Sequence, residues 1–215
     1  MTVIERPPAQ PVEAQEGVQE EEILRPRCWT RDEYYRLGEA GFFENERVEL
    51  LDGEIWTLPP QKAPHFSSVE AAAEILGGAF GAGHSVRRQG PMTLDDGTEP
   101  EPDVLIVAGS RMVYQDHHPT PPEVRLLVEV SDATLAKDRG KKMQEYAQAG
   151  IVDYWIINLI SRQIEVHRNP GPLPTGHGYK LRRVLLEGES IAPLLAPDHP
   201  VNVTDLLPLR SPTQP

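Results

Sequence analysis

Three short apolar runs constrain this chain more than any other feature: "DVLIVAG" at 103–109, "VRLLVEVS" at 124–131 and "VDYWIIN" at 152–158. Runs of this length and composition read as buried strands, and none approaches the roughly 18 apolar residues that a membrane span requires. Pro102 punctuates the approach to the first and starts it.

Between and around these runs the periodicity changes. "WTRDEYYRLGEAG" opens with Thr30 as an N-cap and Glu33 three residues later, and Gly41 can stop the helix. "RVELLDGEIWTL" places Asp52-Gly53 between two apolar-rich stretches, a two-residue hairpin turn, with Val48 and Leu50 on one face and Glu49 on the other. Residues 64–80 carry Val69, Ala72, Ala73 and Leu76 at helical spacing. From about Asp138, "DRGKKMQEYAQAG" predicts a helix with Met143, Tyr146 and Ala147 as its apolar stripe and Gly150 as its stop. "HSVRRQGPMTL" and "RQIEVHRN" read as extended, "NPGPLPTGHG" as a long hairpin tip, and "YKLRRVLLEGE" and "VNVTDLL" as peripheral strand or turn pieces. The order predicts an α/β (α+β) domain with a central mixed β-sheet flanked by helices.

A chain of 215 residues with 39% apolar content supports one substantial core, expected over residues 23–208. Residues 1–22, with six Glu against one Arg and three prolines, read as a disordered acidic tail, and 209–215 as a flexible C-terminus. Of the net charge of −12, about −7 remains on residues 23–215, which disfavours broad adhesion to nucleic acid or an anionic membrane but leaves room for a local basic groove. The single cysteine, Cys28, excludes an internal disulfide framework and fits a reducing compartment, so the cytoplasm is expected. His117 and His118, in a proline-bounded loop without a second ligand cluster, read as a solvated pair.

The chemistry-bearing residues sit at the strand ends. If the first two runs pair antiparallel, Asp103 at the start of one meets Glu129 near the end of the other. Two such charges repel unless one is protonated or a cation lies between them, and hard oxygen ligands favour Mg2+ or Mn2+. The bland alternative is that Asp103 caps a turn while Glu129 pairs with an arginine. Lys142 lies four residues before Tyr146, beside the buried stripe, and can reach this place; its alternative partner is Asp138. Glu49 is equally readable as an exposed carboxylate paired with Arg47 or a lysine, and His65 as a capping or packing residue outside the catalytic set.

The succession "RVELLDGEIW", a histidine in "APHFSS", "PDVLIV", "LLVEVSDAT", "DRGKKMQEYAQAG" and "VDYWIIN" resembles the Uma-type restriction endonucleases, a family within the PD-(D/E)XK nuclease superfamily, over residues 29–207. The resemblance implies a restriction-endonuclease-like fold and a phosphodiesterase site that uses Mg2+ or Mn2+ to hydrolyse DNA. Residue by residue, it implies Asp103, Glu129 and the Val130 carbonyl as metal ligands, Lys142 as the lysine, and Glu49 as an upstream acid near the metal. The position two residues after Glu129, where the superfamily's basic pattern has lysine, is Ser131, and Asn158 stands where related sequences commonly have Asp. A homodimer is expected from the same resemblance, because cutting both strands of a duplex benefits from two-fold-related sites. Arg87, Arg88, Arg139, Lys141, Arg182 and Arg183 are the basic positions available to phosphates, with solvated faces as their default reading. Two other classes compete: a non-catalytic dimeric nucleic-acid-binding or regulatory module that keeps the fold, and a carboxylate-pair hydrolase, which leaves Lys142 unexplained.

Overall fold

The computed structural model describes residues 26–210; the segment read as an acidic tail, residues 1–22, and residues 211–215 lie outside the described residues. The three apolar runs become the middle of a six-stranded sheet ordered β3-β4-β5-β6-β7-β8. Its strands are β3 (His84–Arg88), β4 (Val104–Ala108), β5 (Val124–Ser131), β6 (Asp153–Asn158), β7 (Gln163–Leu173) and β8 (Gly176–Leu186). All neighbours pair antiparallel except β5 and β6, so the sheet is mixed as expected. A parallel pair needs a crossover. The chain supplies it as one helical run made of α3 (Leu135–Lys137), a π-helical segment Asp138–Lys142 and α4 (Met143–Gln148).

The strands are apolar at successive positions because both faces are covered. On one side α2 (Ala63–Phe80) lays Val69, Ala72, Ala73 and Leu76 against Val104, Ile106, Val128 and Trp155. Its alanines permit close packing on the sheet. Alternate residues face the other way, where Leu105, Leu127, Tyr154 and Ile156 meet Tyr146 and Ala147 of the helical run. Two smaller pairs, β9 (Ser190–Ile191) with β10 (Val201–Asn202) and β1 (Val48–Leu51) with β2 (Glu54–Thr57), complete the strands.

Local signals hold in detail. Thr30 caps α1 (Arg31–Glu39) with Glu33 completing the reciprocal box. Asp52 and Gly53 both have positive φ, 53° and 71°, as the two-residue turn between β1 and β2 demands. Three expectations change. The helical run begins at Leu135 rather than Asp138. "NPGPLPTGHG" is the hairpin tip expected, but strand pairing runs further into it: the β7–β8 ladder continues to Leu173 paired with Gly176. Beyond Arg168 strand β7 no longer has β6 beside it, so Pro170 and Pro172 leave no β6 carbonyl unpaired. Glu49 does not face solvent: all four residues of β1 are buried.

The helical run is tied to the sheet through Glu165 on β7. Its carboxylate, fully buried, accepts from Arg139 Nε at 3.0 Å, Arg182 at 2.9 Å and the Asn158 amide at 3.2 Å. Asn158 therefore donates where an aspartate would repel. Burial raises the pKa of Glu165, but His167, Arg139, Asn158 and Arg182 outweigh it and hold the carboxyl well below the ordinary range. A depressed carboxyl contributes stability that is complete above its unfolded value, near pH 4.3, and is lost as pH falls towards its folded value. Glu165→Gln is expected to cost about 2 kcal/mol in urea unfolding at pH 7. The gap should stay level down to about pH 5 and shrink below about pH 4; a gap that widens on acidification contradicts this account.

Candidate active site

The antiparallel register of β4 and β5 sets Val104 opposite Val128, so the next position outward brings Asp103 to the same strand end as Glu129, as the spacing predicts. Asp103 crosses to β5 directly: its Oδ2 accepts the Val130 amide at 2.9 Å, its Oδ1 accepts Gln89 Nε2 at 3.2 Å, and His65 Nε2 lies 3.3 Å from Oδ2. Burial pushes its pKa up, but His65, the Val130 amide and Lys142 prevail and keep it below the usual carboxylate value. Glu129 is 2% exposed and its Oε1 accepts both Tyr146 Oη at 2.7 Å and Lys142 Nζ at 3.0 Å. Here burial wins over Lys142 and the carboxyl is pushed up to about 8.

The helical run delivers the cations. Lys142, 3% exposed, bridges Glu129 to Glu49, whose Oε2 is 3.1 Å from its Nζ. Glu49 also accepts Lys137 Nζ at 2.7 Å and the Glu101 amide at 3.1 Å. Burial opposes its ionisation, yet the two lysines and the amide lower its pKa. Of the alternative partners weighed from sequence, a lysine does reach Glu49, whereas the Arg47–Glu49 and Lys142–Asp138 pairs do not form. Arg47 goes to Glu101 at 3.0 Å, and Asp138 accepts from Ser131 Oγ at 2.6 Å and Thr134 Oγ1 at 2.7 Å. Lys141 turns away to Glu54 at 2.7 Å.

The structure therefore gathers Asp103, Glu129, Val130, Lys142 and Glu49, all read from the sequence, and adds His65, Lys137 and Asp138, which sequence reasoning left out. Lys137 and Lys142 are five residues apart, about 140° around an ordinary α-helix. The wider i→i+5 winding of Asp138–Lys142 brings them to one side, and no α-helical pattern signals it. The signal that existed for His65 was its place in the first turn of α2, close to the end of the sheet.

Asp103, Glu129, His65, Lys137, Asp138 and Lys142 line a cleft of about 50 Å3, enough for an ion and a few waters. Around it six carboxyl groups, Glu49, Glu101, Asp103, Glu129, Asp132 and Asp138, meet the ammonium groups of Lys62, Lys137 and Lys142, the Arg47 guanidinium and the His65 imidazole. Glu129 Oε2 receives no hydrogen bond from the described residues, whereas Oε1 takes two. A further positive charge fits this balance. Among the described residues no three His, Cys, Asp or Glu side chains are gathered as a metal-binding group. A cation here would take two carboxylates, a backbone carbonyl and several waters, a donor set suited to Mg2+, which keeps much of its hydration. Of the six basic positions marked for phosphates, four are already neutralised: Arg88 by Glu70, Lys141 by Glu54, and Arg139 and Arg182 by Glu165.

A mixed sheet with helices on both faces, an acidic pair at the end of two central strands and a buried lysine beside it define the restriction-endonuclease-like class. Residues 31–203 match the model of the Uma2 family, described as "Putative restriction endonuclease", and the chain belongs to that family. The fold is similar to a crystal structure described as a "putative nuclease belonging to DUF820" from Anabaena variabilis ATCC 29413. The TM-score is 0.63 at 14% identity, covering 82% of this chain and 96% of that one. No curated protein matches the chain. Among the described residues no helix is long and apolar enough to cross a membrane.

Proposed function

We propose that this protein is a metal-dependent endonuclease that hydrolyses DNA phosphodiester bonds, working as a homodimer in the cytoplasm. The observation that carries the reading is the meeting of Asp103 and Glu129 at one strand end with Lys142 bonded to the second. Asp103, Glu129 and the Val130 carbonyl are the proposed ligands of Mg2+ or Mn2+. When bound, the cation supplies Lewis-acid polarisation of the phosphodiester and a lowered pKa for the attacking water. Lys142 stays protonated, because Glu129 and Glu49 outweigh its burial, and places a fixed positive charge where negative charge develops on phosphorus. Glu49 holds Lys142 and Lys137 on one carboxylate. His65 and Gln89 hold Asp103 in its orientation from α2 and the end of β3.

Calorimetric titration of the purified chain with Mg2+ or Mn2+ is expected to show binding, and metal at a hundred times its Kd should stabilise the fold by about 2.7 kcal/mol. Asp103→Asn should remove both effects. Neither heat nor stabilisation with the unmodified chain would sink the metal reading, and with it the hydrolytic mechanism.

A further inference from the structure

The catalytic cleft is too small for a nucleotide, but a second pocket, of about 560 Å3, has walls of its own. Its walls include Arg31 and Tyr35 from α1, Arg87 from β3, Tyr114, and the loop pair His117 and His118. Volumes of this size suit small organic ligands. The two sites are close along the chain. Arg87 stands two residues before Gln89, which bonds Asp103, so their Cα atoms are within about 7 Å.

Arg87 is the unusual group. Of the thirteen other described arginines nine face a carboxylate, Arg36, Arg111 and Arg183 are exposed, and Arg125 donates to backbone carbonyls. Arg87 is half-buried, forms no such pair among the described residues, and its Nε is shut from solvent without an acceptor. Its guanidinium lies over the Tyr114 ring, 5.9 Å from the centroid, and His117 meets the same ring edge-on at 5.6 Å. The pocket's buried acid does not compete for it: Glu99 is occupied by the Tyr35 and Thr93 hydroxyls, with Arg31 3.8 Å away. Asp116, the other acid in the wall, is exposed. A planar cation lacking an anion stands here in a pocket whose wall also carries the exposed rings of Tyr35 and His117, while Tyr114 is buried beneath the guanidinium. This matches a phosphate carrying a base or sugar that can pack on those rings.

We propose that this pocket binds one nucleotide unit of the substrate strand, with its phosphate on Arg87 and its base or sugar against the rings of Tyr35 and His117. This rests on the nuclease reading for the identity of the strand, but the binding itself needs no metal.

The test is titration of the full chain, in chelator, with deoxyadenosine 5′-monophosphate, deoxyadenosine and inorganic phosphate, read by calorimetry. The monophosphate should bind at least about tenfold tighter than either fragment, and Arg87→Gln should weaken it by about tenfold or more. Asp103→Ala should leave it unchanged. The imidazole NMR signals of His117 and His118 in the unmodified chain should shift with the monophosphate while those of His65 stay still, a readout that does not depend on how the variant folds. Equal binding of nucleoside or phosphate, indifference to Arg87→Gln in a folded variant, or shifts confined to His65 would overturn the proposal. Cleavage is assayed separately, so a chain that binds the nucleotide but never cuts rejects the nuclease reading alone, and one that cuts without binding it here rejects the pocket alone.

Discussion

Asp103→Ala is expected to lower Mg2+-dependent DNA cleavage by about a thousandfold or more, because it removes a carboxylate through which a cation could act on the reacting phosphate. The same change strands a buried donor. The Val130 amide, now bonded to Asp103 Oδ2, loses its partner, which costs about 1–3 kcal/mol of stability. Asp103→Asn keeps the shape and an acceptor oxygen, so it should recover most of the stability and none of the activity. Comparing the two separates a structural aspartate from a catalytic one. The decisive assay is supercoiled plasmid cleavage at saturating Mg2+, and an Asn variant that cuts as fast as the unmodified chain removes Asp103 from the mechanism.

Lys142→Met is expected to be the most damaging single change near the site. Its ammonium lies between two carboxylates that are almost wholly out of solvent, and removing one partner of a buried pair costs about 3–5 kcal/mol. Glu129, already poised to protonate by its burial, should take up a proton in the variant. Cleavage should fall by about a hundredfold to a thousandfold, the loss seen when a fixed charge is withdrawn from a developing anion. Stability then has a second check. Adding Glu49→Gln to Lys142→Met removes the carboxylate that stays charged without this partner, so urea unfolding should show the double variant more stable than the single one. If the two losses simply add, the lysine is not compensating buried charge, and the account of the cleft as a cation-balanced cluster fails.

How the site came to be partly readable follows from the reach of each signal. Asp103 and Glu129 were legible because antiparallel pairing of two apolar runs converts sequence position directly into proximity at a strand end. Tyr146 marked the buried side of the last helix, and that placed Lys142 correctly. His65 was set aside because a histidine in the first turn of a helix has many ordinary uses. Its contact with Asp103 depends on how α2 lies across the sheet, which the spacing of Val69, Ala72, Ala73 and Leu76 does not encode. For Glu49 the period-two rule left two readings open, a site acid and an exposed carboxylate, and the structure takes the first. That rule assumes one dry face, whereas β1 is buried on both.

The apolar runs, the Asp52-Gly53 turn, the Thr30 cap and the Gly150 stop carried the elements, their kinds and the mixed sheet, because these depend on interactions within a few residues or on side-chain period. The charge balance of the cleft lay beyond their reach. It depends on a widened helical turn that swings Lys137, Asp138 and Lys142 to one side, and on a separate hairpin that presses Glu49 against them. Electrostatic compensation among buried groups acts through space between elements far apart in the chain, so its outcome is set when those elements pack and the water between them leaves.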